Sequence, residues 1–479
     1  MKNTNKINIL IAGGAGFWSE LNHYPAILQL KKEGVPVNIV AICDINDPYK
    51  EKDRLNLKQI LNIDKPIWVK PVGTTFIELE KELNRLISRV KIDVIIISTN
   101  PVYHYLYSKW ALIHKINILC DKPLVITKNA SFNLENAIQM QKQFDELEEL
   151  YIKIKIRQKN YMFCTPLRRR ALTPFIKIAQ EIQKVYDKTG ENIRYMNLVV
   201  NSGLHRYPIE FLKGGAHGYL DGVGSLAHSS YHFIDIIAWY LSLAKGDIAK
   251  IKVELPYVFR VNDYLKIKGY KKIKDLIEGQ NSNIYENAEL SKSVLNSELD
   301  FDFHLHLLDK NNNKIGLISY SCHHTSYSPR LVKYDPNVID HAHDRNGGRM
   351  SQLYIDIQQG ALQNWQLIKN DIVFYGNNIE IIGRKHPRIG QVYKKEIYEE
   401  AYEKGTISPK DLLKSFIKFS AGLRIPKKHM DLLATIENQR LTNKLFTKCY
   451  EKIAEEYERK NETKERIKIS SAIELKEYL

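Results

Sequence analysis

The first 128 residues alternate short apolar runs with stretches of helical spacing, and this alternation restricts the fold more than any other feature. "INILIA", from Ile7, is closed by glycine. "VNIVAICDIN" is a second strand that ends at Asp44. "DVIIIST" reads as a third, buried strand, and "INILCDKP" as a further one. Between them "HYPAILQLKK", which stops at Gly34, "TFIELEKELNRLI" and "VYHYLYSKWALIH" repeat their apolar residues at helical intervals. Short β-branched runs separated by helices make a parallel sheet covered on both faces. Such a doubly wound sheet takes its ligands at the carboxyl ends of its strands.

After about residue 150 the texture changes. "YIKIKI", "NLVVNSG", "IAKIKVELPYVFRV", "FDFHLHLLD" and "KIGLISYSCHH" alternate at period two, as half-buried antiparallel strands do. "YLKIKGYKKIKDLIEGQNSNIYENAELSKSVLNSE" interrupts them as an excursion, and from Pro409 the chain reads mainly helical. The expected architecture is α/β. A Rossmann-type doubly wound parallel sheet over residues 1–150 is followed, over 151–479, by an α+β domain with a large, mainly antiparallel sheet.

A chain of 479 residues that is 44% hydrophobic is long enough for two sizeable cores. No apolar run reaches the ~18 residues of a membrane span, and the N-terminus lacks the pattern of a secretory signal. The five cysteines, Cys43, Cys120, Cys164, Cys322 and Cys449, are dispersed without a CxxC pair, which argues for free thiols in the cytoplasm. The net charge is +16, with 71 Lys and Arg against 55 Asp and Glu. The bases are mixed with acids, as in "KCYEKIAEEYERKNETKERIK", and form no nucleic-acid module. A phosphate-bearing cofactor or substrate would draw on this charge.

"GGAGFWS" follows the first strand. Read as GxGxxG, it has Gly14 and Gly16 in the first two places and Ser19 in the third. The first glycine permits the tight turn. The second lets the backbone approach a pyrophosphate at a helix N-terminus. Phe17 and Trp18, the intervening residues, fall in the same cofactor contact zone. Asp44 ends the second strand, where an acid accepts the adenosine ribose hydroxyls and repels a 2′-phosphate, so NAD is favoured over NADP. "GGAGF" is also similar to the extended short-chain dehydrogenases, which need Tyr-x-x-x-Lys on a helix. Tyr151 and Lys155 have that spacing, but "YIKIKI" alternates like a strand, which would hold them apart.

Three further stretches carry a stronger likeness. "DVIIISTNPVYHYLYSKWALIHKINILCDKPLVIT" contains Thr99, Asn100, Pro101 and His104, then Asp121-Lys122-Pro123. "PLRRRALTPF" holds Arg169 and Arg170, and "GSLAHSSYHFIDIIAWYL" sets Gly224, His232 and Asp235 in register. Together with "HMDLLATI" they resemble the glucose-fructose oxidoreductase / inositol dehydrogenase / MocA (Gfo/Idh/MocA) family over roughly residues 7–245 and 425–455. That family has Glu where Asp121 stands. The resemblance implies an NAD-dependent oxidoreductase acting on the secondary alcohol or ketone of a sugar, cyclitol or nucleotide-sugar-like substrate, and a homo-oligomer. NAD would be held by Gly14, Gly16, Asp44, Thr99, Asn100, His104, Asp121 and Lys122.

Dehydrogenation of an alcohol needs a hydride acceptor and a base. Lys122, at a strand's carboxyl end, can polarise a hydroxyl, and His232 has a suitable ordinary pKa near 6.5. Helical spacing would put His228, His232 and Asp235 on one face. Asp235 could orient His232, contact substrate or cap local structure. His228 stands where the family has Asp, and Ser230 replaces a glycine, so His228 is expected to relay the proton or bind substrate. Asp221 is an alternative carboxylate. "HAHDRNGGR" offers His341, His343 and Arg345 to an anionic substrate. His304 and His306 share a strand face, but no spacing matches a metal motif, and no metal is expected. Two other readings stay open. One is a non-catalytic dinucleotide-binding regulatory or structural protein, and the other is NAD-assisted cleavage of a glycosidic bond.

Overall fold

A computed structural model gives the fold, describing residues 6–51, 53–71, 75–202, 218–267, 269, 290–326, 352–372, 376–399, 407–461 and 472–474. The chain forms two compact units. The first comprises Met1–Ile126, Met140–Ala171 and Ile407–Arg440; the second Thr127–Gln139, Leu172–Thr406 and Leu441–Leu479.

The first unit is built on β1 (Ile7–Ala12), β2 (Val37–Cys43), β3 (Ile67–Val69), β4 (Val94–Ile97), β5 (Asn117–Cys120) and β6 (Phe163–Thr165). Among the described residues the sheet has seven strands, in the order 434–435, β6, β5, β4, β1, β2, β3. The six labelled strands pair parallel, and Ala434–Thr435 closes the β6 edge antiparallel. All four residues of β4 are buried, which is why it reads as an unbroken apolar run rather than an alternation. Between the strands run α1 (Tyr24–Lys32), α2 (Leu55–Asp64), α3 (Phe76–Ile87) and α4 (His104–Ile113). Helix α1 runs out just before Gly34, whose φ is +76°, and α3 starts on a Thr75/Glu78 capping box. "DVIIIST" is the fourth strand rather than the third, because the three-residue β3 precedes it.

One expectation is overturned. "YIKIKI" is not a strand; it is the last part of α5 (Leu134–Arg157). Leu134, Ala137, Met140, Phe144, Leu147, Tyr151 and Ile154 are buried at intervals of three and four, so the helical period continues through the β-branched residues. Tyr151 and Lys155 are therefore one helical turn apart. The short-chain dehydrogenase role fails for a different reason. Tyr151 is fully buried, with its hydroxyl 3.4 Å from a Glu437 carboxylate oxygen, and burial pushes that hydroxyl's pKa up. The Lys155 ammonium donates to the Tyr161 carbonyl at 2.8 Å.

The second unit is organised on β7 (Tyr195–Asn201), β8 (Lys250–Arg260), β9 (Glu298–Leu308), β10 (Lys314–His323), β11 (Gln352–Gln359), β12 (Gln363–Ile372), β13 (Gly376–Lys385), β14 (Tyr393–Glu399) and β15 (Ala472–Glu474). Among the described residues these form a nine-stranded sheet, β14-β13-β12-β11-β7-β10-β9-β8-β15. Only β7 and β10 pair parallel. In β9 the buried Phe301, Phe303 and Leu305 alternate with the half-buried Asp302, His304 and His306. His306 Nε2 lies 2.9 Å from Glu254 Oε2, so this histidine is engaged by a carboxylate of the neighbouring strand. No three potential metal-ligating side chains converge among the described residues.

Helices α6 (Thr173–Thr189), α7 (Tyr231–Leu243) and α8 (Arg440–Asn461) belong to this unit, and Tyr231 packs edge-on against Phe446 at 4.9 Å between ring centroids. Of the excursion, the two ends are described. Tyr264 and Val294 join Tyr219, Val261 and Leu299 in a small satellite core. No described helix is long and apolar enough to cross a membrane.

Candidate functional site

Four strands of the first sheet end on one line. Ala12 pairs with Cys43 and with Ile97, and Ile97 pairs with Cys120. The next residues are stitched across the ends. Gly13 N–H donates to the Cys43 carbonyl (2.8 Å), Ser98 N–H to Ala12 (2.8 Å) and Asp121 N–H to Ile97 (2.9 Å). The glycine turn, Asp44, the Thr99-Asn100 turn and Asp121-Lys122 therefore line one carboxyl edge, where such a sheet binds ligands.

The turn needs its glycines for different reasons. Gly13, which the GxGxxG reading passes over, has φ +84°, and a Cβ there would overlap the Ser98 carbonyl oxygen. A Cβ on Gly14 would meet Ile42 Cγ2 at 2.6 Å, and the Tyr24 hydroxyl donates to the Gly14 carbonyl at 2.7 Å. At Gly16 an added Cβ would lie 3.1 Å from the Gly13 carbonyl oxygen, a tight contact, with no other described atom within 4 Å. Ser19 Oγ donates to the Gly13 carbonyl (3.0 Å) and ties the turn down. Asp44 Oδ2 accepts the Ala15 N–H at 2.8 Å and Oδ1 the Asn46 N–H at 3.0 Å. Burial raises the Asp44 carboxyl against the pull of these N–H groups. Phe17 is 63% exposed and Trp18 43%, and the Arg54 guanidinium lies 5.3 Å over the Phe17 ring. A tightly held glycine turn with one open face, an acid hydrogen-bonded to it and a helix start beyond fit a dinucleotide pyrophosphate and ribose.

At the next strand end, Asn100 Oδ1 accepts the Val102 N–H at 3.2 Å and starts a short turn that leads into α4. His104 is fully buried. Its Nδ1 lies 2.8 Å from the Pro123 carbonyl and its Nε2 3.1 Å from the Thr99 carbonyl, so the ring bridges two strand-end turns. Burial lowers its pKa to about 4. Its position is that of a brace for the cradle, one layer behind the edge. Burial raises Asp121 to about 6 against the attraction of Lys122. The Lys122–Pro123 peptide is cis, and Lys122 is partly exposed. Arg168 is exposed, Arg169 half-buried and Arg170 buried, with Arg170 Nη2 3.5 Å from the Asn438 carbonyl.

In the second unit the histidine helix differs from a regular α-helix. Leu226–Ser230 is a π-helical turn, and α7 begins only at Tyr231. The π-helical turn departs from the regular spacing by which His228, His232 and Asp235 would share one face. His228 and His232 are both half-buried, whereas Asp235 is fully buried and accepts the Thr442 hydroxyl at 3.0 Å. Asp221 lies 3.8 Å from the Lys128 ammonium. His341, His343 and Arg345 lie outside the described residues.

Two important carboxylates carry no sequence motif. Glu20 caps α2 by accepting the Asn56 and Leu57 N–H groups, each at 2.9 Å. Glu298 does the same for the start of the histidine helix, taking the Gly224 N–H at 2.9 Å and the Leu226 N–H at 3.1 Å. An acid 74 residues beyond the helix it caps leaves no local pattern to read.

Residues 7–152 match the model of an oxidoreductase family with an NAD-binding Rossmann fold. Comparison with curated protein sequences gives no match. Among solved structures, the transcriptional regulator Gal80p from Kluyveromyces lactis is similar, with 14% identity, 100% of this chain and 93% of that one covered, and a TM-score of 0.55. A Thermotoga maritima protein assigned as an oxidoreductase has 14% identity, 95% and 99% coverage and a TM-score of 0.51. A Desulfitobacterium hafniense protein assigned as an NADPH-dependent oxidoreductase has 10% identity, 99% coverage of each chain and a TM-score of 0.50. At these identities the structures speak for the shared fold. Over residues 7–152 the chain carries the NAD-binding Rossmann domain of the Gfo/Idh/MocA oxidoreductase family.

Proposed function

We propose that this chain is an NAD-dependent oxidoreductase that interconverts a secondary alcohol and a ketone on a sugar, cyclitol or nucleotide-sugar-like substrate. The observation that carries the reading is the registered line of strand ends, which sets the glycine turn, Asp44 and Lys122 on one edge. Bound NAD supplies the hydride acceptor. Asp44 uses its remaining lone pairs for the adenosine ribose hydroxyls, and its charge disfavours the 2′-phosphate of NADP. The Lys122 ammonium holds the nicotinamide ribose and polarises the substrate oxygen. His232 takes the hydroxyl proton, and His228 relays it or holds a substrate oxygen. Arg169, His343 and Arg345 contact the substrate. The interior Arg170 and Asp235 act through the residues they hold. The protein works as a cytoplasmic homo-oligomer.

Mass spectrometry of the protein as purified should find NAD, and a polyol panel should yield NADH with at least one member. A second reading, a non-catalytic dinucleotide-binding regulatory or structural protein, draws on His228 in place of the family's Asp and on Asp235 being held by Thr442. Bound NAD that no polyol reduces would favour it. Product release without net NADH would favour glycosidic cleavage instead.

A further inference from the structure

The histidine helix begins inside the protein. Gly224, Ser225 and Leu226 are buried, so water cannot satisfy the N–H groups that the first helical turn leaves over. Ser225 stands at the N-cap and makes no side-chain cap bond. The acceptor comes instead from the first residue of β9. Glu298 is fully buried, and its Oε1 accepts the Gly224 N–H (2.9 Å), the Leu226 N–H (3.1 Å) and the Tyr450 hydroxyl (2.9 Å). Its Oε2 accepts the Ser131 hydroxyl. The helix start also sits against the Glu298 backbone, since a Cβ on Gly224 would overlap the Glu298 carbonyl oxygen.

We infer that Glu298 is a positioning residue, which fixes the orientation of His228 and His232 by capping their helix from β9. This rests on the proposed oxidoreductase reading for its effect on turnover. Glu298 touches neither histidine in the contacts above, so it acts through the backbone. Residues 224 and 226 are held at a point only two residues before His228. A π-helical turn, Leu226–Ser230, follows at once and carries His228, so the pinned start sets where that turn begins. Burial raises the Glu298 carboxyl, against hydrogen bonds from Ser131, Tyr450 and Gly224 that favour its ionised form; that form is acceptor-only and so meets four donors at once. A negative charge at the helix N-terminus also opposes the positive end of the helix dipole and eases protonation of a histidine in the first turns.

The experiment compares Glu298→Gln and Glu298→Ala with the wild type. Gln keeps an acceptor for the two N–H groups but removes the charge; Ala removes both. Imidazole resonances of His228 and His232, assigned by histidine substitution, are followed through a pH titration, with NAD affinity, kcat and KM alongside. Glu298→Ala should shift both sets of resonances and lower kcat by ~10-fold or more, the scale of a small misplacement of reacting groups. NAD affinity should stay within about 2-fold, because the cradle belongs to the first unit. Glu298→Gln should restore most of kcat and lower the imidazole pKa values by a few tenths. Unshifted resonances in folded Glu298→Ala overturn the proposal. If Glu298→Ala does not fold, unchanged imidazole pKa values in Glu298→Gln overturn it. If no polyol is turned over by the wild type, the oxidoreductase reading falls, while the resonances still decide the role of Glu298.

Discussion

The glycine turn of residues 13–16 and the turn that ends at Gly224 are built alike and used in opposite ways. Each leads into a five-residue π-helical turn, Ser19–His23 in one and Leu226–Ser230 in the other, and each π turn runs on into an α-helix. Each has a carboxylate at a strand end hydrogen-bonded to its backbone, Asp44, just after β2, on Ala15 and Glu298, at the start of β9, on Gly224 and Leu226. The first helix start is open, with Phe17 and Trp18 exposed. The second is shut, with Glu298 in the place an outside anion would take. A glycine turn before a helix is thus a generic anion seat, and burial decides whether a ligand or the chain itself fills it.

The hardest test of this contrast is a pair of alanines. Gly224→Ala must displace the Glu298 backbone and should cost on the order of 4 kcal/mol or more in a denaturant titration. Gly16→Ala asks the Gly13 carbonyl oxygen, 3.1 Å from the added methyl, to give by a few tenths of an ångström, so it should cost only about 1 kcal/mol while weakening NAD binding. Equal losses would mean that the two turns are not used differently.

Acid should separate the two units next. His23 and His104 are buried, and burial lowers each to about 4. The unfolded chain binds their protons at about pH 6.5. The stability from keeping them neutral is therefore complete above pH 6.5 and is lost as pH falls toward 4, by up to ~3 kcal/mol for each. Asp121, raised to about 6, and Asp44 and Glu148, also raised by burial, work the other way as pH falls, while His114 and His429, lowered by burial, add to the loss. In the second unit His323 is raised by Asp302, so its small contribution is present at low pH and fades as pH rises. Hydrogen exchange between pH 7 and 4.5 should show the first unit opening first. Earlier opening of the second would break the comparison.

Lys122→Ala should lower turnover ~10²-fold, the scale of a positioned acid-base group, with little change in melting temperature. A large loss of stability with activity retained would place Lys122 in the fold instead. The smallest effect concerns Asp44. Calorimetry should give NAD an advantage over NADP of about 1–3 kcal/mol, and tighter NADP binding would remove Asp44 from the ribose site.

The strands of the first sheet were legible because a run such as Val94–Ile97, buried on both faces, has no polar residue to confuse it. Strand β3 was not, since all three of its residues are only half-buried and the run is too short to show a period. "YIKIKI" misleads because six residues of alternating Ile and Lys satisfy a strand pattern, and only the buried positions back to Leu134 reveal the helix. In the cradle, Gly14, Gly16 and Asp44 follow from motif spacing, whereas Gly13 matters through a contact with Ser98 that only folding creates. The π turn at Leu226–Ser230 leaves no trace in composition, so regular spacing alone does not describe the backbone that carries His228.

The first unit is also interrupted in sequence, returning only at Ile407–Arg440. A ribosome that has finished residue 171 has made six strands of that sheet but not Ala434–Thr435, which covers the outer edge of β6. Nor has it made the helix Pro409–Ser420, whose Lys418 pairs with Glu33 beside α1 at 2.8 Å. More than 230 residues, the bulk of the second unit, must emerge before either arrives. At about 5–20 residues per second the β6 edge stays open for roughly 10–50 seconds. An uncovered edge strand is a template for pairing with another chain. The vulnerable species in the life of this protein is therefore the half-made chain, and a chaperone that shields a strand edge during synthesis would raise its yield more than one that acts after release.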